Sequence, residues 1–155
     1  MRYSIDTSAL LEAWRRHYPP DVIPALWEGL DRLIQSGDLR ATEEVLHELE
    51  RKDDEVFEWA RRHPACFVEI DAAIQPVVQA MLRDHKKLLD TRKSRSGGDP
   101  FVIALAQVNG ATVVSDERRT GSAERPNIPD VCAALGIRCI NVLGLIREQG
   151  WVFRL

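Results

Sequence analysis

Five acidic residues stand where a carboxylate could do chemistry: Asp6, Glu48, Asp99, Asp116 and Glu117. Asp6 ends the strand-like run Arg2–Asp6, and Asp116 and Glu117 follow the β-branched run Ala111–Ser115. In open parallel sheets, ligands gather beyond the carboxyl ends of the strands, where the chain order reverses. Asp99 precedes Pro100, a carboxylate cap followed by proline at the first helical position, where the helix dipole favours negative charge. Glu48 adjoins Leu49 in a helical run, so it flanks the apolar face and can point towards the sheet edge. Gathered in one pocket, these groups would repel one another until protons or a cation neutralised them. An oxygen-only donor set, without a His or Cys partner, selects Mg2+ or Mn2+ over Zn2+. Such a cation can activate water and stabilise charge on a phosphodiester oxygen, which is metal-assisted hydrolysis.

Taken singly, each acid has a plainer reading. Asp99 and the run Asp6-Thr7-Ser8 make helix caps, Asp116 can open a turn, and Glu48 shares its run with Glu43, Glu44 and Glu50, as on a solvated face. Their order and spacing together carry the argument. Rival signatures are missing: the chain has no G-x-x-x-x-G-K-[ST], no G-x-G-x-x-G and no G-x-S-x-G. The run from His47 to Arg51 begins like a zinc-protease helix but has Arg51 where the second histidine belongs.

The elements that must position these acids alternate in type. Strand-like runs at Arg2–Asp6, Leu39–Ala41, Cys66–Ile70, Ala111–Ser115 and Arg138–Ile140 are separated by helical ones. A first helix runs from Thr7 to about Tyr18 and stops at Pro19-Pro20; a second is capped by Asp21 and ends at Gly37. Thr42 caps a third, and a fourth covers Asp54 to His63 before Pro64. Apolar spacing from Ile74 to Leu89 predicts a long helix, and Asp99 to Gly110, Ile128 to Leu135 and Val142 to Gln149 predict three more. Strands alternating with helices make a parallel sheet covered by helices on both faces.

With 155 residues, 45% hydrophobic and 29% charged, the chain is expected to form one domain over residues 1–155 with a substantial core. The 21 basic and 24 acidic residues give a net charge of −3. Nucleic acid cannot then be held by bulk charge alone, though local basic patches can hold it. No apolar run approaches the roughly 20 residues of a membrane span, and no signal segment opens the chain, so a cytoplasmic location with no membrane partner is expected. Cys66, Cys132 and Cys139 fit neither a disulfide framework nor a zinc site and read as reduced thiols.

The chain resembles the PIN-domain family of metal-dependent nucleases, which includes VapC-type toxins of toxin–antitoxin systems. Tyr3-Ser4-Ile5-Asp6-Thr7-Ser8 resembles the family's hydrophobic–D-T-[NS] opening, and Val45-Leu46-His47-Glu48-Leu49 its second acidic segment. Gly98-Asp99-Pro100-Phe101-Val102-Ile103-Ala104 is similar to its A-D-x-x-I-A pattern, and Val113-Val114-Ser115-Asp116-Glu117 to its V-V-T-x-D strand end. The ending, through Ile128-Pro129-Asp130-Val131-Cys132 and Gln149-Gly150-Trp151, is similar to a less-characterised PIN-like subfamily. The resemblance implies a three-layer α/β/α fold with a central parallel sheet of about five strands. It also implies a site of Asp6, Glu48, Asp99 and an acid at 116 or 117. The T-x-D spacing favours Glu117, with Ser115 in the threonine place, whereas strand-end geometry favours Asp116, ranked slightly higher. Ser8, where Asn is commoner, supports Asp6 or a water.

The activity so implied is an Mg2+- or Mn2+-dependent endoribonuclease, the toxin of a type II pair. Its partners would be an RNA substrate, a cognate antitoxin protein and a second copy, since such toxins commonly form homodimers. Arg118 and Arg119 beside the site, and Arg92, Lys93 and Arg95 ahead of Asp99, would grip RNA phosphates. Two other readings remain: a non-catalytic RNA-binding or adaptor module on the same scaffold, and, ranked last, a phosphohydrolase with Asp6 as nucleophile. The second of these lacks the D-x-D start it needs, because Ser8 stands at the second position. The Trp151-Val152-Phe153 tail either serves an interface or packs on the body.

Overall fold

The computed structural model describes residues 1–84, 86, 99–122, 124 and 126–154. Five short strands, β1 (Tyr3–Ile5), β2 (Leu39–Thr42), β3 (Phe67–Val68), β4 (Thr112–Val114) and β5 (Cys139–Ile140), form one sheet in the order β3-β2-β1-β4-β5. Every pairing is parallel. Helices α1 (Thr7–Glu12), α2 (Pro24–Gln35), α3 (Glu43–Lys52), α4 (Asp54–Arg61), α5 (Ile74–Asp84), α6 (Asp99–Asn109), α7 (Ile128–Leu135) and α8 (Val142–Gln149) flank it. This is the expected α/β architecture with a central parallel sheet.

The middle strand is the most deeply set. Tyr3, Ser4 and Ile5 are all buried, as a strand covered on both faces requires. The one polar member, Ser4, donates its hydroxyl to the Val102 carbonyl of α6 at 2.8 Å, so no buried donor is wasted. Because β1 sits between β2 and β4, the chain order reverses beside it. Asp6 leaves the sheet at that point, and Ser115 and Asp116 leave from the neighbouring β4.

Several boundaries differ from the sequence expectation. Asp21 does not cap α2. Ile23 precedes it without a side-chain cap, and Pro24 opens the helix, its fixed φ being already helical. The cap signal overlooked is Asp53, whose carboxylate accepts the Glu55 and Val56 N–H groups, both at 3.0 Å, at the start of α4. β3 keeps only Phe67 and Val68, because a 3-10 turn at Pro64–Cys66 takes up the start of the run. The first helix continues past Glu12 as a π-helical turn over Ala13–His17. Such wide turns shift side chains off the regular helical face and are frequent at functional sites. Here edge-to-face aromatic contacts hold it: Trp14 on Trp27 at 4.8 Å and Trp27 on Trp59 at 5.1 Å link the turn to α2 and α4.

Trp151 packs on the body. A Cβ built on Gly29 of α2 would lie 2.7–2.9 Å from three Trp151 ring atoms. Gly29→Val is therefore expected to destabilise the chain by about 1–3 kcal/mol through overpacking. Denaturant midpoints of the cycle with Trp151→Ala check this, and strict additivity would mean that the ring does not press there. Cys66 and Cys132 are buried and Cys139 half-buried, and none forms a disulfide. Burial pushes the Cys66 thiol up to about 12. Among the described residues, no helix is long and apolar enough to cross a membrane.

Candidate acidic site

Asp6 is almost fully enclosed at the sheet edge, at 3% exposure. Its Oδ1 accepts the Ala9 N–H at 2.8 Å, capping α1. Ser8 Oγ lies 3.0 and 2.8 Å from its two oxygens, and Ser115 Oγ donates to Oδ2 at 2.7 Å. The two hydroxyls are relays. Ser8 Oγ accepts the Asp116 N–H and Ser115 Oγ accepts the Glu117 N–H, both at 3.1 Å. Each serine thus passes a backbone N–H dipole from the β4 end to the acid at the β1 end, holding the strand ends in fixed relation. Burial still dominates and pushes the Asp6 carboxyl up to about 7. Ser115, Ala9 and Ser8 pull it down, and the Glu117 charge pushes it up.

A cavity of about 490 Å3 opens over this group. Asp6, Glu48, Asp116 and Glu117 contribute acids to its wall, and Arg16, His17, Lys52 and Arg118 contribute basic groups. Glu48, on the inner side of α3, is buried, with Lys52 Nζ one turn later at 3.7 Å from its Oε2. Asp116 is half-buried and its carboxyl is raised, chiefly by burial. His17 opposes the shift and Glu12 adds to it. Glu117 turns one oxygen to the Ile128 N–H at 2.8 Å, where α7 begins. A larger groove of about 840 Å3 beside Trp14 and Pro19 is no rival. Its Asp53 already caps α4 and pairs with Arg15 at 2.8 Å, and Glu55 accepts from Trp14 Nε1.

Asp99 opens α6. That helix ends at Asn109, three residues before β4 begins at the amino edge of the sheet, so its first residue lies at the carboxyl edge with Asp6. Arg119 is exposed on the loop beyond Glu117, and Arg92, Lys93 and Arg95 lie outside the described residues.

Four cavity residues escaped the sequence reading: Glu12, Arg16, His17 and Lys52. Three of them carried a signal in their spacing. Ser8, Glu12 and Arg16 step by four along one helix face, and the Arg16–Glu12 ion pair closes at 3.3 Å. Lys52 follows Glu48 by the same step. His17 arrives through the π turn, which no spacing rule foretells. Glu12, His17 and Asp116 each bring a ligand atom to within 4.8 Å of the others.

The donor set fits a hard divalent cation. Burial makes Asp6 hold its proton up to about pH 7, so its ionised form is costly and a cation would offset that cost, and the acids around it offer oxygen only. The outer group adds a histidine nitrogen, which suits Mn2+ better than Mg2+.

The family model described as "Domain of unknown function (DUF4411)" matches residues 3–153. No curated protein matches the chain by sequence. Among solved structures, the chain is similar to VapBC2 from Rickettsia felis, crystallised with a DNA fragment from its promoter. The TM-score is 0.55 at 14% identity, with 91% of this chain and 98% of that chain covered. FitAcB from Neisseria gonorrhoeae is similar at a TM-score of 0.52 and 14% identity, over the same shares of the two chains. At such identity the likeness is one of fold.

Proposed function

The chain belongs to the DUF4411 family and has a PIN-like fold, and from its site we propose that it is a divalent-metal-dependent endoribonuclease, a VapC-like toxin of a type II toxin–antitoxin pair. One observation carries the reading. A nearly inaccessible carboxylate, Asp6, is braced by two hydroxyl relays at the switch point of a parallel sheet and faces a cavity walled by further acids. A stabilising role alone does not account for acids gathered at a cost to stability.

Asp6, Glu48, Asp99 and Glu117 are the residues that would hold Mg2+ or Mn2+; Asp116, with Glu12 and His17, would make a second, weaker place. When bound, the cation supplies Lewis-acid activation of water and charge stabilisation at the phosphodiester. The remaining chemistry belongs to the chain. Ser8 and Ser115 lower the cost of ionising Asp6 and fix its direction. Glu48 is placed to orient a water and receive its proton, with Lys52 tempering its charge. Arg118, on the cavity wall, would neutralise the phosphate, and Arg119, Arg92, Lys93 and Arg95 are the further basic residues we propose for RNA contact. Of the two acids after β4, Glu117 is the one whose charge acts on Asp6.

On this reading residues 1–155 act as one domain in the cytoplasm. An enzyme that cuts cellular RNA needs restraint, so a small cognate antitoxin is its partner, and a homodimer its working form. The test incubates the protein with single-stranded and structured RNAs in Mg2+, Mn2+ or EDTA, beside Asp99→Asn. Metal-dependent cleavage that the variant loses is the expected result. Cleavage that survives both EDTA and Asp99→Asn would overturn the mechanism, and RNA binding without cleavage would favour an adaptor.

A further inference from the structure

A second cavity, of about 250 Å3, continues from the acidic one. It shares His17, Asp116, Glu117 and Arg118 with it and is completed by Tyr18, Asn141 and Leu143. We propose that this side cavity receives one nucleobase of the strand being cut, so that its walls choose the nucleotide beside the scissile phosphate. The inference rests on the ribonuclease reading and names a base-selecting subsite of that site.

The size admits one ring system, being smaller than the roughly 300–1,000 Å3 of cofactor and drug sites. Single-stranded RNA is read by stacking a splayed base on aromatic or apolar side chains and by hydrogen bonds to its edge. Both kinds of surface are present. The Tyr18 ring stands beside the His17 ring, with centroids 6.3 Å apart and planes at 60°. Tyr18 is half-buried and lines this cavity. Leu143, at the start of α8, is 41% exposed, one of few large apolar side chains left open among the described residues. Its open part is left uncovered by the described residues, and a base face would cover it.

The edge contacts are of mixed sign, as a base edge is. Asn141 spends its Oδ1 on the Gly144 N–H at 2.8 Å, capping α8, so its amide NH2 is the group it can offer a ligand. Asp116 supplies an acceptor for an exocyclic amine. Arg118 borders both cavities and is placed to hold the phosphate that joins the base in one to the reacting centre in the other. A bare apolar contact would need none of these polar groups.

The test measures fluorescence anisotropy of four labelled homo-oligoribonucleotides (A, C, G and U) on Asp6→Asn, which binds without cutting. Cleavage ends on a random-sequence RNA are mapped for the active chain. Each assay is repeated with Leu143→Trp, which fills the cavity, and with Val152→Trp, an equally bulky change at an exposed position outside both cavities. We expect a base preference of at least about 5-fold, the scale of one net hydrogen bond to a base edge, that collapses in Leu143→Trp and persists in Val152→Trp. A preference untouched by Leu143→Trp, or none at all, overturns the subsite. If base preference in binding depends on Leu143 but no RNA is cut, the nuclease reading falls while the subsite stands.

Discussion

Asp6→Asn is expected to abolish most RNA cleavage while making the metal-free protein more stable at pH 8. The activity loss should reach roughly 10²–10³-fold or more, the scale on which one removed electrostatic contact at a reacting centre acts. The gain has the opposite sign because the native carboxylate is held against its preference. Its carboxyl is raised from 3.8 to about 7 by burial, and that difference corresponds to about 4 kcal/mol of folding free energy forgone once the group is ionised. Asparagine keeps the cap, since its Oδ1 can accept the Ala9 N–H, and the Ser8 and Ser115 hydroxyls can rotate to serve an amide. Some of the gain is lost to imperfect pairing, so a rise of several degrees in melting temperature is the practical expectation. Thermal melts in EDTA and initial rates with Mn2+ check the two halves together. A variant both inactive and less stable would mean that Asp6 is structural, and the metal reading would lose its main support.

The sheet was legible because each strand was short, apolar and bounded. α7 and α8 matched their expected ranges, each opening after an asparagine and closing at a glycine with positive φ, 69° at Gly136 and 66° at Gly150. The cap expected at Asp21 failed because a proline three residues later sets the start more strongly. Asp6, Asp116 and Glu117 could be singled out because strand ends are where a parallel sheet gathers ligands. What could not be read was how Asp6 is held. The relays through Ser8 and Ser115 depend on which backbone N–H groups face which hydroxyls, a matter of register between β1 and β4, 109 residues apart at the Ser115–Asp6 bond. Whether Asp116 or Glu117 faces Asp6 turns on a single residue of strand twist, which two spacing arguments divided between them. The cavity's basic wall was hidden for another reason: Arg16 and Lys52 are exposed side chains, and only their pairing with the more enclosed Glu12 and Glu48 brings them to the cavity.

The metal-free protein should also be more stable near pH 5.5 than near pH 8, with a divalent cation reversing the order. Asp6 carries a folded value of about 7 against 3.8 unfolded, so between those values the folded chain binds the extra proton. Stability therefore falls as pH rises through that window and levels off above about 7. Asp116, also raised by burial, adds in the same direction. Asp53, Asp130 and Glu148 are lowered, and their contributions fail only as pH falls into the range where they protonate, below the window. From about pH 5.5 to 8 the Asp6 share is about 2 kcal/mol, or about 4–8 °C in melting temperature for a chain of this size. A bound cation takes the proton's place, so it stabilises most where the proton is gone: about 2.7 kcal/mol at a hundredfold excess over its dissociation constant. At the acid end it must displace the proton and gains little. Melts at the two pH values, each with EDTA and with Mn2+, give four numbers, and Asp6→Asn should flatten both the pH and the metal dependence. A metal-free profile already flat in the unmodified chain would mean that folding does not raise the Asp6 carboxyl, and the acids of this cavity would then need no metal to coexist.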